Sequence, residues 1–164
     1  MNSKLQLIIL ILASLTLLAS CDGKKKIKTE DGTVEIDVNK GEYTFQGKDG
    51  KGGTVSISGG GGAKIPDSFP ADVHVYKPSI VTTAMSMAGT ETVMLQTDDP
   101  AEKVIEKYVQ EMADSGWEQI SEMNTPVMSA RNYEKDDRRV SVNVIADPKS
   151  GKATINLSVT PKRN

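Results

Sequence analysis

Apolar and polar residues alternate with a period of two over most of this chain, and the period becomes helical in one clear stretch. Val140, Val142 and Val144 fall on one side of a strand, opposite Ser141 and Asn143; Ile155, Leu157 and Val159 alternate in the same way with Thr154, Asn156 and Ser158. Such alternation predicts an antiparallel sheet packed on one face and wet on the other. Further strands are expected over Glu118–Met123, Val127–Glu134 and Arg139–Ala146, and a hairpin joins Ile80–Met87 to Glu91–Thr97 around Ala88-Gly89-Thr90. Val73-His74-Val75-Tyr76 also alternates, after the extended lead-in Ile65-Pro66-Asp67-Ser68-Phe69-Pro70, whose prolines fix φ and remove donors. The helical stretch follows Asp99, read as an N-cap, with Pro100 at the first helical position and Glu102 at the third, in the manner of a capping box. Ile105, Tyr108, Val109 and Met112 form its apolar stripe, widened by Val104, and Gly116 ends it with Trp117 packing back. This helix is the expected cover for the packed side of the sheet.

Residues 22–62 are rich in glycine, lysine and acids, yet patterned. Ile27–Glu30 and Thr33–Val38 read as strands joined by a turn at Asp31-Gly32, and Glu42–Gln46 and Thr54–Ser58 read as two more. With so few apolar residues, a four-strand meander is marginal alone and needs a support; a semi-ordered stalk is the competing reading, with Gly59–Gly62 as a flexible linker. The expected fold class is therefore α+β: an antiparallel sheet of four to six strands with one amphipathic helix on one face, preceded by a small Gly-rich β-meander. The expected divisions are residues 1–20, 21–62 and 63–164.

The start of the chain sets its address. Met1-Asn2-Ser3-Lys4 carries one positive charge, and Leu5–Leu18 is apolar except for Gln6, Ser14 and Thr16. That run of 14 residues is shorter than the roughly 18 that cross a bilayer. Behind a basic start and ahead of small residues it reads as a signal peptide. A plain secretory signal cut near Ser20, or a short uncleaved anchor, would leave Cys21 as an unpaired thiol in an oxidising compartment. Leu18-Ala19-Ser20-Cys21 resembles the lipobox of bacterial lipoproteins. The resemblance implies that Cys21 becomes the mature N-terminus and carries a thioether-linked diacylglycerol and an amide-linked acyl chain, enough for stable anchoring. In enteric bacteria an aspartate after that cysteine disfavours transport to the outer membrane, so Asp22 implies the periplasmic side of the inner membrane. Downstream, the prolines of the lead-in, Asp72-Val73-His74-Val75-Tyr76, Thr97-Asp98-Asp99-Pro100, the Val104 to Tyr108 spacing and Gly116-Trp117 resemble small uncharacterised envelope lipoproteins over about residues 65–160. That likeness implies the fold and no chemistry.

Charge and composition narrow the function by exclusion. Residues 1–20 hold one lysine and no acid, so removing them takes the net charge from −2 to about −3, leaving no basic excess for nucleic acid. Lys24, Lys25, Lys26 and Lys28 either begin a solvated linker or attract anionic headgroups at about 1 kcal/mol each. The one cysteine is assigned to lipid and the one histidine, His74, reads as an exposed strand residue opposite Val73 and Val75. A Cys–His or Ser–His catalyst and a His/Cys zinc site are thereby set aside, and no cofactor is expected. Asp98-Asp99 is explained by capping and Asp136-Asp137 by a charged turn over Lys135–Arg138, leaving carboxylate-only hydrolysis as the weakest reading. Asp37-Val38-Asn39-Lys40-Gly41 lacks the remaining ligands of a calcium loop. Met85, Met87, Met94, Met112, Met123 and Met128 are expected to fill the core. The leading expectation is a non-catalytic binding or adaptor module whose envelope protein partner docks on the polar sheet face of Ser141, Asn143, Thr154, Asn156 and Ser158, or adds a strand to the Gly-rich hairpins. The alternative is a carrier holding a lipid or small apolar ligand between helix and sheet.

Overall fold

The computed structural model describes residues 23–49 and 53–162. Ten strands form one antiparallel sheet: β1 (Lys24–Thr29), β2 (Gly32–Asp37), β3 (Glu42–Lys48), β4 (Thr54–Gly59), β5 (Ile80–Met87), β6 (Thr90–Thr97), β7 (Glu118–Asn124), β8 (Met128–Lys135), β9 (Arg138–Ala146) and β10 (Ala153–Pro161). The spatial order is β1-β2-β3-β4-β5-β6-β10-β9-β8-β7. Among the described residues one helix, α1 (Ala101–Asp114), lies between β6 and β7 in sequence and packs over β9 and β7. The α+β class therefore holds only coarsely. The four-strand meander is not a separate layer, because β4 pairs with β5 from Val55↔Met87 to Gly59↔Thr83 and makes the sheet continuous. That pairing gives the meander the support it lacks alone.

The core lies between α1 and the sheet. Val140, Val142, Val144, Ile155, Leu157 and Val159 are all buried, as their alternation requires. The helix contributes Ala101, Val104, Tyr108 and Met112, with Ile105 at the margin. This stripe is displaced from the expected one, since Val109 is 44% exposed. Burying Val104, Tyr108 and Met112 stabilises by roughly 1.5–3 kcal/mol per side chain. The same face is covered at β4–β6 by the lead-in, where Lys64 accepts a hydrogen bond from the buried Ser58 hydroxyl at 2.9 Å.

Both helix ends are informative. The C-terminus is a Schellman motif: Gly116 has φ +78°, its N–H donates to Ala113 at 2.9 Å, and Trp117 N–H donates to Met112 at 2.9 Å. The expected cap at the other end is absent. Pro100 occupies the cap position with no side-chain cap hydrogen bond, because the Asp99 carboxylate accepts instead from Tyr76 Oη at 2.8 Å and Lys103 Nζ at 2.8 Å.

Turns depart from the sequence reading where backbones meet. Gly32 opens β2 opposite Thr29 rather than sitting in the first turn, and a Cβ there would lie 2.3 Å from the Gln46 carbonyl. The glycine serves the close approach of β3. Lys135 and Arg138 belong to strands, leaving Asp136-Asp137 as the turn, with Asp136 at φ +54°. Val73–Tyr76 is not a strand but an irregular segment that buries Val73 and Tyr76.

Candidate functional site

Register decides which side chains share each face of the sheet. The β10–β9 pairs Asn156↔Asn143 and Ser158↔Ser141 place those four residues on the side opposite α1, and Thr154 shares that side by alternation. All five expected binding-face residues thus come together, half-buried rather than wet. Through Asn156↔Met94 and Asn143↔Ala130 the face continues into β6 and β8.

Following the register the other way gives a result the alternation alone hides. Ile27↔Val34, Val34↔Phe45, Phe45↔Ile57 and Ile57↔Met85 are successive cross-strand neighbours. Met85 pairs with Thr92, which pairs with Ser158, so this apolar row lies on the helix-free face. Within β5, a β-bulge between Val81 and Thr83 changes the face of alternate residues. One extra residue lets Val81 reach the core while Met85 and Met87 point the other way. The meander and the helix-covered half thus carry their apolar residues on opposite faces.

Across all ten strands the middle positions of this helix-free face carry no charge, in a chain with 26% charged residues. Lys25 stands at the β1 end, and Arg139, Glu134 and Glu118 cluster at the far corner. The methionines overturn the core-filling expectation: only Met112 is in the core, while Met85, Met87, Met94, Met123 and Met128 all register on the helix-free face. Flexible, polarizable thioethers suit an adaptable contact surface. The face is roughly 45 Å by 20 Å from strand spacing and length, on the order of the 800 Å² that each partner gives to a standard protein interface. The buried Asn156 Oδ1 has no hydrogen-bond partner among the described residues.

Two other clusters brace the fold. Asp72 accepts two hydrogen bonds from Arg138, both 2.9 Å, and one from Lys135 at 2.8 Å, while its carbonyl accepts from Trp117 Nε1 at 2.9 Å. Arg138 stacks 5.0 Å from the Trp117 ring centroid, and Lys135 also bonds the Ser115 carbonyl at the helix end. The Arg138 hydrogen bonds hold the Asp72 carboxyl well below the usual carboxylate range. The expected solvated charge turn is therefore partly a tie between the lead-in, α1 and the β8–β9 hairpin. Glu91, unremarked in the sequence, is buried and accepts from Ser68 at 2.9 Å and Ser86 at 2.8 Å, fastening the lead-in to β5 and β6.

His74 is not an exposed strand residue. It packs edge-on against Tyr108 at 5.5 Å and Tyr76 at 6.4 Å, with Nε2 buried and unpartnered and Nδ1 3.6 Å from Glu111. Burial lowers its pKa, with Lys107 and Lys77 adding to the effect and Glu111 opposing it. Burial also raises the Tyr76 hydroxyl to about 12, helped by its bond to Asp99.

The remaining candidates do not converge. Asp98 is exposed beside Lys152 at 2.7 Å, whereas Asp99 faces Tyr76 and Lys103; Asp136 is exposed near Arg138. Asp37 accepts from the Lys40 N–H in its own turn. Among the described residues, no group of three or more His, Cys, Asp or Glu side chains is arranged to hold a metal. Cys21 and Asp22 lie outside the described residues. Between helix and sheet the space is filled by Val104, Tyr108 and Met112, each at 0% exposure. Open depressions of about 300 Å³ and 200 Å³ lie instead beside Tyr76 and Lys107 and beside Ile80 and Lys152.

The described residues thus form a single antiparallel sheet with one covering helix and a broad uncharged open face. A family model described as START domain-like matches residues 79–160, half of the chain, and the chain belongs to that family. The match takes in β5, β6, α1 and β7–β9 whole and almost all of β10, but none of β1–β4. No curated protein and no solved structure matches the chain.

Proposed function

We propose that this chain is a lipid-anchored cell-envelope binding module, acting as an adaptor, that engages a protein partner through the helix-free face of its sheet. The observation that carries this reading is the face itself: uncharged through its middle, rich in methionine across β5–β8, and crossed by no other described element. Interface cores are depleted in charge and enriched in methionine in the same way. Membership of the START domain-like family is consistent with a ligand-binding role. The filled space under α1 counts against a carrier that holds its ligand between helix and sheet, since such a site needs roughly 300 Å³ or more. Scattered carboxylates count against a hydrolase. The anchoring part of the proposal rests on the signal and lipobox residues Leu5–Cys21, with Asp22 favouring the inner membrane.

The test introduces charge on one face only. Complexes extracted from envelopes in mild detergent are sized by native electrophoresis for wild type, Met94→Glu with Asn143→Lys, and the helix-surface control Gln110→Lys. The control migrates with the wild-type complex and the double variant migrates as the free chain with an unchanged thermal midpoint. A double variant that stays in a complex of unaltered size contradicts the assignment of the face.

A further inference from the structure

The apolar half of the helix-free face is outside the family match and closest in sequence to the proposed anchor, and these two facts together suggest what it touches. β1 begins at Lys24, three residues after Cys21. Three extended residues reach about 10 Å at most. A lipid on Cys21 therefore holds the β1 edge at the bilayer surface, with no room for a stalk. From that edge the face presents Ile27, Val34, Phe45 and Ile57 in a row, with Tyr43 beside it at 45% exposure.

We infer that the β1–β4 half of the helix-free face lies on the membrane and inserts apolar side chains into the headgroup–acyl boundary, resting on the lipid-anchored reading above. Charge does not drive this contact. Lys24, Lys25, Lys26 and Lys28 share their hairpin with Glu30, Asp31, Glu35 and Asp37, and Lys26 pairs with Glu35 at 2.5 Å. The hairpin's charges cancel, so the surface is matched to lipid of either charge through its apolar residues. Phe45 and Tyr43 are the kind of side chains that settle at a membrane interface. Neighbouring strands rotate by about 20°, so the five steps from β3 to β9 turn the Asn143 and Asn156 end through roughly 100° relative to the meander. That end stays clear of the bilayer for a partner while the meander rests on it.

Phe45→Trp places a reporter in the row, and the more exposed Tyr43→Trp serves if the first variant misfolds. The acylated full chain is reconstituted in neutral phosphatidylcholine vesicles with or without brominated acyl chains, and mass spectrometry reports acylation at Cys21. Trp117 is 4% exposed in the core and supplies an unquenched background. The expected result is a blue-shifted added emission that bromolipid quenches at least twofold. Acylated protein whose added emission is unchanged by bromolipid overturns the membrane contact, and an unquenched reporter shielded in a species of twice the monomer mass assigns the face to a second copy instead. Quenching without acylation supports the contact and overturns the lipid anchor.

Discussion

Packing His74 edge-on against Tyr108 leaves its Nε2 buried without a partner and lowers its pKa through desolvation. A lowered folded value means that the unfolded chain binds the proton first. Stability is therefore complete above about pH 6.5, the ordinary histidine value, and falls as pH drops through that value toward the folded one. His74 is the only histidine, so this slope is separable from carboxylate titration. Urea midpoints of His74→Phe, compared with wild type at pH 7.5 and 5.5, are expected to flatten over that interval and to lose nothing at pH 7.5, because the orphaned nitrogen is gone. Asp72 has the same sign in a lower pH window: held low by Arg138, it stabilises above the ordinary carboxylate value of about 3.9 and loses that contribution as pH falls below it. Neither role was legible in the sequence. His74 was readable only as one step of an alternation, and Asp72 meets its partners across more than 60 residues of chain.

At the scale of elements, α1 was legible from its period and its terminal glycine, while its details answer to tertiary contacts. Asp99 is a good capping residue by type, yet Tyr76 and Lys103 claim its carboxylate. Val109 is apolar yet turns outward because Ala101 and Val104 face the sheet instead. The Gly116 end is closed by local backbone hydrogen bonds, so its glycine marks it in the sequence. A Cβ on Gly116 would meet nothing closer than 3.9 Å, so the φ of +78° is the whole obstacle. Gly116→Ala is expected to destabilise by about 1–2 kcal/mol, lowering the thermal midpoint by several degrees without affecting partner binding. Calorimetry that shows no loss would mean that the helix end does not need the left-handed residue.

For the whole molecule, the alternation in β9 and β10 matches their buried faces, but bulges interrupt it in β5 and β7, and alternation does not say which face is which. Ser141, Asn143, Thr154, Asn156 and Ser158 were placed together because they lie in two adjacent strands with clean patterns. The continuation through Met94, Met85, Ile57 and Phe45 was hidden, because it depends on the β4–β5 pairing and on the bulge at Val81 and Thr83. The bulge turns Met85 and Met87 to the open face, and the registers of β6, β7 and β8 place Met94, Met123 and Met128 there. An uncharged surface of this breadth lies on a chain folded around a separate core, and its proposed role is to engage a partner. The most direct test of that role is a photo-crosslinking amino acid placed singly at Thr92, Asn156 or Asn143 on the helix-free face, and at Lys107 or Gln110 on the helix, in intact cells that produce the chain. One discrete protein adduct is expected from each of the three sheet positions and none from the helix positions. Adducts from the helix positions alone, or equal labelling from both sides, would contradict it.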